Sequence, residues 1–285
     1  SRRCVLSAGA LAFGGLHLSQ LLRAEASDPG GSTRSAIVIL LDGGPSHIDT
    51  FDPKPHAPSE VRGEFGVIST RLPGVQFCEH LPKLAQSTEQ FALVRNVAHT
   101  LSDHGLGKKY VLTGTKPLST ISYPEYSAVI NSLHASEQDL PGSVAIPRAM
   151  QGPGFLGIEQ APFETGKYPS VGRALHIPAL TLPVGASGPS LSRREDLRRD
   201  LDRHLDRSVN SAALLDGMDR HHEKAFAILN SPKTQAAFDL SQEQSAFARQ
   251  FKPDDFSQSC LLAIRLVEAG VRCVSISIGN WDTHQ

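Results

Sequence analysis

The feature that most constrains the fold is an apolar run that ends in a carboxylate and two glycines. Residues 36–52 read AIVILLDGGPSHIDTFD, so that an apolar run leads directly into Asp42, Gly43 and Gly44. A short continuous apolar run predicts a strand buried on both faces, as in a parallel sheet. Ligands of open α/β sheets bind beyond the carboxyl ends of the strands, where Asp42 would lie. The two glycines allow a ligand to approach the backbone closely at that point.

A carboxylate at a strand end has two interpretations. Ser46, His47 and Asp49 follow Asp42 within a few residues. Carboxylate and imidazole groups so close together indicate a metal site. The alternative is an Asp that accepts hydrogen bonds from turn amides and has no chemical role. Both interpretations stay open on this stretch alone.

A second buried strand is predicted at residues 91–97, FALVRNV, and a polar cluster follows it. The members of this cluster that could act chemically are His99, Ser102, Asp103 and His104. A lone histidine is usually structural or solvated. Two of them beside an aspartate, where a strand meets the start of a helix, indicate a functional site as readily as a structural one.

The third cluster closes the sequence. Asp254 and Asp255 are predicted to cap a helix over residues 257–270 that Gly270 ends, and a β-branched strand follows at residues 271–278. Asp282 and His284 come directly after that strand. The sequence therefore predicts polar side chains at the ends of three strands.

Because the carboxyl ends of parallel strands meet at one edge of a sheet, Asp42, Asp282 and His284 are the predicted metal ligands. Two carboxylates and an imidazole suit a divalent cation. Zinc is favoured because an imidazole takes part, with calcium, magnesium and manganese as alternatives. Such a metal would polarise a phosphoryl or sulfuryl oxygen and lower the pKa of a bound water.

The first residues predict export. Arg2 and Arg3 precede an apolar segment rich in Gly and Ala, and Ala24-Glu25-Ala26 provides an A-x-A cleavage signal. The predicted segments are a Tat-type signal peptide at residues 1–26, a linker at 27–35 and one domain at 36–285. The expected location is the periplasm or the exterior, with the Tat export machinery as a partner.

Charge and cysteine content exclude several classes of protein. The 28 basic and 29 acidic residues give a formal charge of −1, which does not support nucleic-acid binding. After the signal peptide, no apolar stretch approaches the roughly 20 residues that a membrane span needs. Three cysteines lie outside that peptide, too few for a disulfide scaffold. Of these, Cys260 and Cys273 are interpreted as buried free thiols.

The remaining elements follow from turn and periodicity signals. We predict short strands at 65–68 and 74–77, helices at 81–87, 107–113 and 126–133, and helical segments at 191–229 and 241–251. Proline predicts a surface loop at 51–63. Glycine and proline predict loops and short strands over 140–188, which could cover the pocket.

Several stretches together resemble one bacterial family. These stretches are LLDGGPSHIDTFDPKP, RGEF, EHLPKLA, LVRNVAHT, LTGTKP, LLAIRLVEAGVR and NWDTH, from about residue 35 to the end. They resemble the domain of unknown function 1501 family, exported Tat-dependent proteins grouped with the alkaline phosphatase and sulfatase superfamily. The resemblance implies an α/β fold, an α/β/α sandwich around a mostly parallel sheet. It also implies metal ligation by Asp42, Asp282 and His284.

The segment DHGLGKKYVLTGTKP resembles the sulfatase stretch C-x-P-x-R…LTG. That resemblance places His104 at the nucleophile position and Lys108 at the arginine position, where it would hold an anion. Sulfatases use a modified Cys or Ser at the first position, so the histidine is a departure from the pattern. Either His104 acts itself, or Ser102 or Ser46 supplies the hydroxyl, or no covalent step occurs.

The implied activity is metal-dependent hydrolysis of sulfate or phosphate esters, on small or polysaccharide-derived anionic substrates. The alternative is a non-catalytic exported binding or scaffold protein with a degenerate sulfatase-like site. Family members continue beyond the WDTH motif with EFGRTP and GRDH motifs. Because this sequence ends at Gln285, we interpret the chain as a fragment that lacks its C-terminal part.

Overall fold

The helices and strands come from a computed structural model that describes residues 34–134, 140–170, 231–242 and 246–282. The strands are β1 (Ala36–Leu41), β2 (Val67–Ser69), β3 (Gln76–Cys78), β4 (Ser143–Ile146), β5 (Phe163–Glu164) and β6 (Cys273–Ile278). The α-helices are α1 (Pro82–Gln86), α2 (His104–Thr113), α3 (Tyr126–Leu133), α4 (Pro232–Phe238) and α5 (Asp255–Ala269). Short 3₁₀ turns occur at Thr88–Gln90, Gly154–Leu156, Ile158–Gln160, Leu240–Gln242 and Ala248–Gln250.

The main sheet has four parallel strands in the order β1-β6-β4-β5. Strands β1 and β6 are in register from the Ala36–Cys273 pair to the Leu41–Ile278 pair, so they end level with each other. Strands β2 and β3 form a separate antiparallel pair. The level ends of β1 and β6 place the residues that follow them side by side.

Helix α5 packs its apolar side against the sheet. Asp254 caps it by accepting a hydrogen bond of 2.7 Å from the Ser257 amide, and Gly270 ends it in the left-handed conformation. Leu262 and Leu266 are fully buried in one cluster with Val274 and Ile276 of β6 and residues of β4. Complete burial of a side chain of this size contributes about 1.5–3 kcal/mol. This cluster is therefore the centre of the core.

Helix α3 lies against the other face of the sheet. Side chains alternate between the two faces along a strand, so Ser275 and Ser277 point away from the cluster beneath α5. They line a small cavity together with Val38 of β1 and Tyr126 of α3. The predicted α/β class is confirmed: a four-stranded parallel sheet packed against helices. No helix among the described residues is long and apolar enough to cross a membrane.

Two expectations about strands are wrong. Strand β1 is not buried on both faces, since the side chains of Ile37 and Ile39 are 38% and 45% exposed at the edge of the described sheet. Residues 91–97 form no strand, and Val94 and Val97 are largely exposed. Apolar and β-branched composition favours a strand only where a neighbouring strand pairs with the backbone. In the described ranges, no strand pairs with this segment.

Most of the other local expectations are confirmed, with shifts of up to three residues at the ends. Helix α2 begins at His104, three residues before its predicted start, and α3 has its predicted bounds. The expectation of loops and short strands over 140–188 did not predict that one of these short strands, β4, is a fully buried inner strand of the main sheet. The signal peptide, residues 171–230 and His284 lie outside the described residues, so the expectations for them stay predictions.

Candidate functional site

A cleft lies beyond the carboxyl end of β1, between that strand and the start of helix α2. Its volume is about 290 Å³. The lining residues are Leu40, Leu41, Asp42, Gly43, Gly44, His99, Leu101, Ser102, Asp103, His104, Gly107, Lys108 and Val111. The first and second polar clusters of the sequence therefore meet in one cleft, although no strand precedes the second cluster.

The start of helix α2 follows from its sequence. The Asp103 side chain accepts a hydrogen bond of 2.8 Å from the Leu106 amide, which is the expected bond of an N-terminal cap. Gly114 ends the helix in the left-handed conformation. Because the helix starts at the cleft, its first turns present His104 and Lys108 to the end of the sheet.

Asp42 and Lys108 form an ion pair across the cleft. The Asp42 amide donates to the Ile278 carbonyl at 2.7 Å, which continues the pairing of β1 with β6 by one residue. The Lys108 Nζ donates to Asp42 Oδ2 at 2.8 Å, and these two side chains are 26% and 32% exposed. This contact joins the sheet to α2 between residues 66 positions apart. An ion pair as exposed as this one contributes about 0–1 kcal/mol to stability.

Asp282 lies beside Asp42, because the turn after β6 packs closely against the turn after β1. The Trp281 amide donates to the Asp42 carbonyl at 3.3 Å. Gly43 touches the same turn so closely that an added Cβ would lie 2.5 Å from the Asp282 backbone nitrogen. The level ends of two parallel strands thus place the two predicted carboxylate ligands on neighbouring turns.

Asp282 also has a partner on α2. His104 Nε2 lies 3.1 Å from Asp282 Oδ2, with the histidine 58% and the aspartate 37% exposed. A carboxylate that holds one ring nitrogen orients the imidazole and leaves Nδ1 as the second nitrogen for proton transfer. Helix α2 therefore carries two side chains, one turn apart, that each face one of the two aspartates.

His99 is a further imidazole in the cleft, which the sequence analysis considered together with His104 but to which it assigned no catalytic or metal-binding role. Its Nδ1 accepts a hydrogen bond of 3.2 Å from the Leu101 amide, so a neutral ring carries its proton on Nε2. Gly107 makes room for the ring, since an added Cβ would lie 3.2 Å from His99 Cε1. The available signal was the position of His99 in the same polar cluster as His104.

The charges around the cleft do not favour an anion by themselves. Asp42, Asp103 and Asp282 contribute three carboxylates, whereas Lys108 is the one lysine or arginine among the described residues that line the cleft. Carboxylate oxygens suit hard divalent cations and zinc. No group of three or more His, Cys, Asp or Glu residues within the described ranges could hold a metal ion. Asp42 and Asp282 are thus two suitable donors, and their predicted companion His284 lies outside those ranges.

Tyr168 lies near the carboxyl end of β6, and the negative charges there affect the pKa of its hydroxyl. Its hydroxyl donates a hydrogen bond of 2.8 Å to the carbonyl of Ser277 in β6. Burial raises the pKa of Tyr168, and the negative charges of Asp255 and Asp42 raise it further. Tyr168 therefore remains a neutral donor that fixes the last residues of β6.

Three of the four predicted catalytic residues line the cleft. Ser102, His104 and Lys108 all line the cleft, whereas Ser46 is not among its described lining residues. The Ser46 Oγ accepts a weak hydrogen bond of 3.4 Å from the Asp49 amide, in a turn typical of serine. The structure thus brings three of the four together near Asp42.

Comparison with known proteins gives one result. The sequence model of a family described as protein of unknown function (DUF1501) matches residues 33–285 of the chain. No curated protein and no solved structure shows a significant match. The resemblance inferred from the motifs is therefore confirmed over nearly all of the sequence that follows the predicted signal peptide.

Proposed function

Because the chain belongs to the DUF1501 family of proteins of unknown function, we propose its function from the chemistry of its own cleft. The proposal is a metal-dependent hydrolase of phosphate or sulfate esters. The observation that carries it is the position of Asp42 and Asp282 on neighbouring turns at the level ends of β1 and β6, beside a cleft that contains Lys108 and His104.

The two aspartates would hold the metal, zinc by preference, and His284 is the expected third ligand. Three carboxylates against one lysine would repel an anionic ester, so a divalent cation is needed to make the cleft attractive to it. When bound, such an ion polarises a phosphoryl or sulfuryl oxygen and lowers the pKa of a water molecule. The donor set fits this role in part, because the structure describes two of the three proposed ligands.

The other side chains of the cleft would act on the substrate. Lys108 would bind the anionic oxygens of the ester as a mobile point charge. His104, held at Nε2 by Asp282, would move a proton through its second ring nitrogen, or act as the nucleophile. Ser102, two residues before His104, would be the alternative nucleophile because its hydroxyl also lines the cleft.

Two further parts of the proposal concern the whole protein. We propose that the parallel sheet belongs to an α/β/α sandwich of the alkaline phosphatase and sulfatase type, supported by helices α3 and α5 on its two faces. We also propose export through the Tat route, supported by Arg2 and Arg3 before an apolar segment.

The test combines elemental analysis of the purified protein with assays of p-nitrophenyl phosphate and p-nitrophenyl sulfate. We expect about one divalent metal per chain and hydrolysis of one ester. Asp42→Asn should lose both the metal and the hydrolysis while the circular dichroism spectrum stays unchanged. Asp239→Asn is the matched control, because this carboxylate ends helix α4 outside the cleft. A protein that binds no metal and hydrolyses neither ester would refute the proposal.

A second candidate function is a non-catalytic exported scaffold. One observation favours it: Asp42 and Asp282 already contact Lys108 and His104 of α2, at 2.8 Å and 3.1 Å. In a scaffold these contacts would only hold α2 against the sheet. The two candidates differ in Lys108→Met, which in a scaffold lowers stability slightly and has no effect on the binding of a metal or of inorganic phosphate.

A further inference from the structure

A groove separate from the cleft lies between the proline-rich loop at residues 53–61 and the segment that leads into β2. Its volume is about 460 Å³, against about 290 Å³ for the cleft, and the two have no lining residue in common. Two of the stretches that carry the family resemblance line it: residues 53–55 belong to DPKP and residues 62–65 are RGEF. The proposed hydrolysis uses none of these residues. We call this site the proline groove.

We propose that the proline groove binds a sugar that carries an oxyanion, which is a phosphate, sulfate or carboxylate group. Arg62 and Lys54 would hold the oxyanion. Glu64 would accept a hydrogen bond from a hydroxyl group of the sugar, and Phe65 would cover one face of its ring. This inference goes beyond the proposed function and does not depend on it, since no residue of the cleft takes part.

The walls of the proline groove are held in place by hydrogen bonds. On the loop side, the amides of Val61 and Arg62 donate to the Pro58 carbonyl at 2.9 Å and 3.0 Å. On the other side, the Gly66 amide donates to Glu79 Oε1 at 2.8 Å. Small-molecule sites are largely formed in advance and have volumes of about 300–1,000 Å³. The proline groove meets both conditions, so a ligand would pay little to order it.

Two cations of the proline groove suit an oxyanion. The Arg62 side chain makes no hydrogen bond or ion pair among the described residues, so its donors are available for bidentate binding. The Lys54 Nζ lies 2.5 Å from Asp52 Oδ2, and Arg95 Nη1 lies 3.5 Å from Asp52 Oδ1. Asp52 is therefore shared between two cations, and Lys54 keeps ammonium donors for a ligand.

Glu64 indicates that the ligand is more than an anion. Its carboxylate lines the same groove and, within the described part of the chain, has no hydrogen bond or ion pair either. A carboxylate repels an anion but accepts hydrogen bonds from hydroxyl groups. A ligand that satisfies both Arg62 and Glu64 thus carries an oxyanion and hydroxyl groups together.

The apolar lining of the proline groove suits a ring. Phe65 is 49% exposed, and its ring meets the His80 ring edge-on with the centroids 4.6 Å apart, which fixes its orientation. Ile48, Pro53 and Val67 add further apolar surface. The C–H face of a sugar ring can pack against such a surface while its hydroxyl groups face the polar side chains.

The experiment is isothermal titration calorimetry on the full chain in the presence of EDTA. The probes are glucuronate and glucose 6-phosphate, with glucose and inorganic phosphate as the separate parts of such a ligand. The test variant is Arg62→Gln. Arg71→Gln is the matched control, because Arg71 follows β2, is exposed and lies outside the proline groove. Lys108→Met removes the one lysine or arginine of the described cleft lining, so it detects binding in the cleft instead.

We expect glucuronate or glucose 6-phosphate to bind at least about tenfold more tightly than glucose or inorganic phosphate. The tighter of the two identifies the oxyanion as a carboxylate or a phosphate. Arg62→Gln should weaken this binding by about tenfold or more, since it removes charge-assisted hydrogen bonds. Arg71→Gln and Lys108→Met should change it by less than about twofold, because a distant exposed charge is screened.

Four results would overturn the inference. The first is that neither acidic sugar binds, and the second is that Arg62→Gln and Arg71→Gln weaken binding equally. The third is that inorganic phosphate binds as tightly as the sugars, which would mean an adventitious ion only. The fourth is a loss of binding in Lys108→Met, which would place the ligand in the cleft. None of these results bears on the metal content and ester hydrolysis that test the proposed function.

Discussion

Replacement of Gly43 by alanine tests the close approach of the two turns that carry Asp42 and Asp282. Gly43 has a φ angle of +107°, which residues with a side chain rarely adopt. A Cβ added to Gly43 would lie 2.5 Å from the Asp282 backbone nitrogen and 3.1 Å from the Trp281 carbonyl carbon. These neighbours are backbone atoms, so they cannot rotate away. The turn after β6 would have to shift with respect to β1.

The magnitude follows from two contributions. A positive φ angle in a residue with a Cβ costs about 1–2 kcal/mol. Overlap that forces a backbone shift costs about 1–3 kcal/mol more. We therefore expect Gly43→Ala to lower the free energy of unfolding by about 2–5 kcal/mol, a large part of the stability of an ordinary domain.

Gly44→Ala is the matched control for this prediction. Gly44 is the next residue and has a φ angle of +72°, but an added Cβ would meet no atom within 4 Å. It should lose only the conformational part, about 1–2 kcal/mol. Urea denaturation followed by circular dichroism measures both variants. Equal losses in the two variants would show that the turns after β1 and β6 do not touch as described.

Two further predictions concern groups outside the cleft. Burial raises the pKa of Cys273 to about 11. We therefore expect its thiol to resist iodoacetamide at pH 8.5 in the native state and to react after unfolding in urea. Peptide mass spectrometry measures the labelling, and rapid labelling of the native protein would contradict the burial. The hydrogen bond from Lys54 holds the pKa of Asp52 below 3.8, and Arg95 and His47 add to this effect. A lowered folded-state pKa contributes stability above the unfolded pKa that is lost as the pH falls through the folded value. At pH 7, Lys54→Met should therefore be less stable than the unmodified protein by under about 1 kcal/mol, because Lys54 is 44% exposed. This difference in stability should shrink below pH 3.8. Urea titrations measure it, and a difference that stays constant down to pH 3 would refute the assignment.

The expectation for residues 91–97 shows the limit of local patterns. The segment has the composition of a buried strand, yet Val94 is 66% exposed and the Arg95 side chain donates to the Gln76 carbonyl at 3.2 Å. Strand formation needs a partner backbone in addition to a favourable composition. Local sequence patterns do not indicate which segments pair as neighbouring strands. For the same reason, the sequence analysis did not predict that β1 lies at the edge of the described sheet.

The sequence by itself determined the elements whose signals are local. The apolar run before Asp42 predicted β1, and the capping residues Asp254 and Asp255 with Gly270 predicted helix α5 and the strand after it. From these elements it also followed that Asp42 and Asp282 come after parallel strands. Caps, glycine turns and apolar periodicity act over a few residues, so that such features can be predicted without the fold.

Only the tertiary structure decided which side chains meet. It paired Lys108 with Asp42 and His104 with Asp282, and it placed His99 in the cleft while it left Ser46 outside. These contacts depend on how helix α2 lies against the end of the sheet. That position results from the packing of the whole core and is not encoded in any single motif.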